Sequence, residues 1–123
     1  MRQFLVTVAV ALLVFSGPAS MQGRKTLDVY SIDADGGKAT LVVSPSGESL
    51  LIDAGSAGGR DPGRILATAK AAGLTQIDYL IVTHDDGDHV GGVKEVSDGI
   101  PIRHFIDYGP RVTPPAGAPE LTP

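Results

Sequence analysis

The feature that most constrains this chain is a polar loop set directly behind an apolar run. Asp78-Tyr79-Leu80-Ile81-Val82 reads as a buried strand, and Thr83-His84-Asp85-Asp86-Gly87-Asp88-His89-Val90-Gly91-Gly92 follows it. Two histidines and three aspartates therefore crowd into the end of one strand. Packed carboxylates repel one another and gain nothing from a dry core, so such a loop is costly as pure scaffolding. A divalent cation removes that cost, because imidazole nitrogens and carboxylate oxygens are ligands that zinc, iron and manganese accept. His84, Asp86, Asp88 and His89 are the candidate metal ligands, spaced i, i+2, i+4, i+5. On an irregular turn, His84 and Asp86 can face one ion while Asp88 and His89 face a second. Two neighbouring ions share a bridging hydroxide, since coordination lowers the pKa of water towards about 7. That metal-bound hydroxide is the expected nucleophile towards a carbonyl or phosphoryl centre. Gly87 is expected to supply an unusual backbone angle between the two pairs, and Gly91-Gly92 to let the chain pass close by.

Blander readings compete. Two lone histidines in a loop are usually just exposed, but five ligand-type residues within six positions at a strand end argue against that here. A calcium loop opens like Asp86-Gly87-Asp88, yet Val90 and Ser97 stand where further oxygen ligands belong. His104, between Arg103 and Phe105, reads as a structural residue of an alternating strand. Asp85 reads as solvent-facing, and Lys94 and Glu95 as an ordinary solvated helix face.

The rest of the body alternates strand and helix patterns. Thr26 to Ile32 alternates apolar and polar residues, Ala39 to Val43 is a second β-type run, and Pro45-Ser46-Gly47-Glu48 is a turn before a strand from Ser49 to Ile52. Asp61-Pro62 predicts an N-cap and a first-turn proline. Ile65, Leu66, Ala69 and Ala72 recur at helical spacing, and Gly73 closes the helix. A second short helix is expected to begin over His89 to Glu95, and Arg103 to Ile106 returns to a strand. The predicted order is β-β-β-α-β-site-α-β, an α/β class.

The loop resembles the H-x-H-x-D-H signature of the metallo-β-lactamase superfamily. His84, Asp88 and His89 match three signature positions, and Asp86 replaces the second histidine, giving H-x-D-x-D-H. That variant resembles the hydrolase domain attached to competence-type DNA-uptake channels, and small secreted metallo-hydrolases of the same branch. Leu50-Leu51-Ile52-Asp53-Ala54-Gly55 resembles the family's earlier strand, which ends in an aspartate and a small-residue turn. Asp33 to Thr40, with Gly36-Gly37, resembles the branch's opening hairpin. The similarity runs from about Thr26 to Asp107. It implies an αββα sandwich of which the N-terminal half is present, and a divalent metal cofactor, two zinc ions with iron or manganese as alternatives. Asp86 makes its site harder and more anionic, which weakens the preference for zinc and speaks against a true lactamase. Asp88 is the candidate catalytic residue. Asp53 is a turn-former or, as the family would use it, a group standing behind the ligands and orienting the loop.

The two ends read differently. Arg2 followed by the apolar run Phe4 to Phe15 and small residues through Ser20 has the pattern of a secretory signal peptide over residues 1–20, cleaved after Ala19 or Ser20. The run is shorter than the roughly 20 residues that span a bilayer, so no stable membrane anchor is expected after cleavage. The domain part covers residues 24–109. Residues 110–123 are Pro-rich and cannot continue a strand or helix. The family's full sandwich needs roughly twice the remaining length, so the chain is expected to be the N-terminal part of a longer product. A net charge of −4 without a basic cluster argues against a dedicated nucleic-acid surface, and the absence of cysteine excludes thiolate zinc sites and disulfides. Two functions remain: a secreted or periplasmic metal-dependent hydrolase of an ester, amide or phosphoester small molecule, or a truncated, non-catalytic binding module of the same fold.

Overall fold

The computed structural model describes residues 26–109. The expected signal segment and the Pro-rich segment 110–123 lie outside the described residues. Five short strands, β1 (Asp28–Ser31), β2 (Thr40–Val43), β3 (Ser49–Ile52), β4 (Ile77–Ile81) and β5 (Ile102–Ile106), form one sheet whose spatial order repeats their order in the chain. β1, β2 and β3 pair antiparallel, joined by the loops 32–39 and 44–48; β3, β4 and β5 are parallel. Parallel neighbours need a crossover, and helices supply both. α1 (Arg60–Ala71) links β3 to β4, while α2 (Gly87–Val90) and α3 (Val93–Gly99) link β4 to β5.

Period-two alternation decides which face is covered. Leu41, Leu51 and Leu80 are register partners across three strands and are fully buried. Ile65 and Ala69 of α1 and Val96 of α3 close over them, with Val43, Val82 and Ile100 completing the core. Burying each large aliphatic side chain contributes roughly 1.5–3 kcal/mol. The opposite face carries the row Val29, Val42, Leu50, Tyr79 and His104. There Tyr79 and His104 stack with ring centroids 5.1 Å apart, and Val29 is exposed. His104 thus has the structural place that the sequence predicts. At the far edge, Phe105 and Ile106 of β5 are both exposed.

The helix borders differ from the sequence reading in two places. α1 starts at Arg60 with Gly59 as its N-cap, in a left-handed conformation at φ 83°. Asp61 lies inside the first turn because its carboxylate accepts the amides of Ser56 and Asp35 instead of capping its own helix. The other end agrees: Gly73, at φ 76°, donates to the carbonyl of Lys70 and Leu74 to that of Ala69, a left-handed helix stop. The single expected second helix is two short ones, broken at Gly91-Gly92. Gly92 packs so tightly on the carbonyl of Ala54 that a Cβ there would collide with it. Gly87 is the first residue of α2 and adopts no positive φ, so the expected unusual angle between the ligand pairs does not occur. Asp88 and His89 stand on a helical turn, not an irregular one. Among the described residues no helix is long and apolar enough to cross a membrane.

Candidate metal centre

β3 and β4 are parallel neighbours, so their carboxyl ends open side by side, where α/β sheets commonly bind ligands. Ile52 is followed there by Asp53, and Ile81 by Val82 and Thr83. Asp53 is fully buried at φ 58°, a conformation that aspartate tolerates better than most residues. Its amide donates to the carbonyl of Ile81, which fixes the carboxylate between the two strand ends. Oδ1 accepts the Thr83 amide at 2.8 Å; Oδ2 accepts the Thr83 hydroxyl at 2.8 Å and lies 2.8 Å from Nδ1 of His89. Burial opposes the charged form of Asp53, but the bonds from Thr83 and His89 outweigh it and hold the group below the usual carboxylate range.

These bonds also assign the ring tautomers. Ionised Asp53 only accepts, so Nδ1 of His89 donates and leaves its Nε2 with a lone pair. The single Thr83 hydroxyl proton goes to Asp53, so towards Nδ1 of His84, 2.9 Å away, the hydroxyl oxygen accepts. Nε2 of His84 is therefore left with a lone pair as well. The two rings lie together, centroids 3.9 Å apart and planes at 50°. Nε2 of His84 is 3.3 Å from Oδ2 of Asp86, and Nε2 of His89 is 3.8 Å from Oδ2 of Asp88. Each lone pair faces an electron-rich carboxylate, an arrangement that a proton or a divalent cation between the partners relieves. The donor types and ring orientations thus fit a divalent ion in two pairs, His84 with Asp86 and His89 with Asp88. Among the described residues no three donors converge closely enough to enclose one ion.

The backbone of the loop is held from two sides. The amide of Ala54 donates to the carbonyl of His89 at 2.8 Å, and that of Lys38 to the carbonyl of Asp88 at 3.3 Å. Gly37 lies so close to the Asp88 carbonyl that any Cβ would collide with it. Asp86 is extended and acts as the N-cap of α2 without a side-chain bond, leaving its carboxylate for His84. Asp85 is exposed, as expected. Glu95 departs from the sequence reading. Only Lys94 behaves as a solvated helix residue, pairing with Asp98, whereas Glu95 accepts the amide of Gly58 at 2.7 Å and ties α3 to the turn after β3.

A model of the metallo-β-lactamase superfamily matches residues 32–121. The chain belongs to that superfamily. It is 33% identical over 86 residues to "Recombination protein 2" of Haemophilus influenzae, covering 68% of this chain and 11% of that protein. It is 30% identical over 64 residues to a "Beta-lactamase-like protein 2 homolog" of Caenorhabditis elegans, covering 52% of this chain and 22% of that one. The fold matches a crystal structure of the metallo-β-lactamase SMB-1 bound to 2-mercaptoethanesulfonate at a TM-score of 0.51 and 22% identity, over 68% of this chain and 32% of that chain. The chain therefore spans well under a third of the curated relatives it matches. The mixed sheet with helices is the superfamily's α/β architecture, in its N-terminal part.

One contributor to the site has no role in the sequence reading. Thr83 appears there only as the residue before the motif, although its hydroxyl links the ring of His84 to Asp53. A hydroxyl residue directly between a strand end and a ligand-type histidine is the available sign.

Proposed function

We propose that the chain is the N-terminal part of an exported metal-dependent hydrolase that cleaves an ester, amide or phosphoester in a small molecule. The observation that carries this reading is the pair of imidazoles at the carboxyl ends of β3 and β4, both presenting Nε2 beside a carboxylate and both anchored through Asp53. His84 with Asp86 and His89 with Asp88 would hold the metal. A divalent ion held by these residues would supply Lewis-acid polarisation of the bond to be cleaved and a water acidified towards a pKa of about 7. The chain's own part is positional. Asp53 keeps Nδ1 of His89 protonated and directs Nε2 outward, and Thr83 does the same for His84. Asp88, with a side chain 41% exposed, would hold the metal beside His89 through one oxygen and offer the other to a substrate or its proton. Superfamily membership supports hydrolysis as the general kind of chemistry, and the apolar leader-like pattern of the first twenty residues supports export. The absence of any cluster of basic residues in a chain of net charge −4 favours a small substrate over nucleic acid.

The second reading, a non-catalytic module of the same fold, is favoured by one observation: no three donors close around a single point among the described residues. Elemental analysis separates the two. The hydrolase reading expects transition metal in the purified protein and loss of at least one equivalent in His89→Ala. Protein that takes up no metal after reconstitution with zinc, iron or manganese would overturn it.

A further inference from the structure

Asp61 is 2% exposed and lies outside the ligand loop, in the first turn of α1. Its Oδ2 accepts the amide of Ser56 at 2.9 Å; its Oδ1 lies 3.4 Å from the amide of Asp35 and accepts Nη1 of Arg60 at 2.6 Å. Ser56 belongs to the turn after β3, and Asp35 to the loop between β1 and β2. These are the two segments whose amides grip the ligand loop, Ala54 on the carbonyl of His89 and Lys38 on that of Asp88. The segments are also joined to each other, the amide of Gly55 donating to the carbonyl of Lys38 at 3.0 Å. Gly55 leaves no slack: at φ 65°, a Cβ there would lie 2.7 Å from Cβ and Oδ2 of Asp61. One buried carboxylate thus staples together the two loops that fix consecutive candidate ligands.

We propose that Asp61 is a positioning residue for the metal centre, holding the 33–38 and 54–56 segments so that Asp88 and His89 present their side chains in register. The role rests on the metal-site reading above and extends it to a residue that touches no metal. Asp78 supplies the control. It is also buried, at 9% exposure, and bonded at both oxygens, accepting the amide and hydroxyl of Ser49, Gln76 and Arg103, but at the opposite end of the sheet. A merely structural carboxylate predicts that Asp61→Asn and Asp78→Asn behave alike.

The test titrates Zn2+ alone into the purified full chain by calorimetry, beside thermal unfolding and amide hydrogen exchange. Asp61→Asn is expected to weaken Zn2+ binding about 10-fold or more, the range seen when groups behind metal ligands are lost. Exchange at the amides of Lys38 and Ala54 should also quicken. Asp78→Asn should lose thermal stability and keep its affinity. Should Asp61→Asn fail to fold, Asp61→Ser, which keeps a short acceptor in the first turn, undergoes the same comparison. Unchanged affinity in the Asp61 variant, or equal losses in both variants, overturns the positioning role. No binding by the unsubstituted chain overturns the metal-site reading itself, and the role of Asp61 with it.

Discussion

Two buried aspartates bridge β3 and β4 from opposite ends. Asp78 sits near the start of β4 and is bonded by Ser49, Gln76 and Arg103. Asp53 sits just past the end of β3 and is bonded by Thr83 and His89. Both are held below the usual carboxylate range, burial resisting and hydrogen bonds prevailing. They differ in what lies beyond the bond. The partners of Asp78 donate to it and otherwise serve only nearby backbone, Ser49 at the amide of Asp78 and the carbonyl of Gln76, whereas His89 donates with one ring nitrogen and presents the other to Asp88. A buried carboxylate becomes part of a site when its partner has a second functional atom to aim.

The contrast can be broken most forcefully at His89. His89→Ala removes the aimed atom, and metal-dependent hydrolysis in the complete protein should fall to the level of the metal-free protein, measured on ester and phosphoester probes. Retained activity would show that the ring only packs.

Asp53→Asn is the next most severe change. One acceptor oxygen must then serve Thr83 and His89, so Zn2+ affinity should fall about 10- to 100-fold, as for other residues that orient metal-binding histidines. Stability should drop by about 1–3 kcal/mol for the amide left unpaired. An unchanged affinity would reduce Asp53 to the turn-former that its positive φ also suits.

Asp78→Asn should cost a similar 1–3 kcal/mol or so in denaturant unfolding, yet leave metal binding intact. A loss of affinity here would erase the difference between the two ends.

The smallest effect is one of pH. Asp78 has a folded pKa below its ordinary value of 3.8, so the stability it contributes is present above that value and lost as pH falls through the folded pKa. Acid unfolding curves of Asp78→Asn should therefore be flatter below about pH 4 than those of the unsubstituted protein. Parallel curves would show that another carboxylate dominates acid denaturation.

Much of this was legible in the sequence because it depends on neighbours in the chain. The apolar run ending in a His- and Asp-rich loop sets the site at a strand end, and the strand-helix order follows from alternation and helical spacing. Gly73 as a helix stop is equally local. The departures all involve contacts that cross the fold. Asp61 resembles an N-cap before Pro62, but the amides of Asp35 and Ser56 reach its carboxylate from other loops. Glu95 resembles a solvated helix residue until the turn holding Gly58 packs beside it. Gly87 looks like a hinge, yet the strain falls on Asp53 and on the close contacts of Gly37 and Gly92. Side chains that serve the backbone of another segment leave little trace in local pattern.

The coincidence of spatial and sequential strand order bears on how the molecule comes into being. A nascent chain leaving the ribosome can lay each strand on the edge left by the one before. No strand has to be threaded between two that have already paired, and each closing loop stays short for a parallel sheet. The ligand loop follows β3 and β4 in the chain, so the segments that will grip it are synthesised before its histidines.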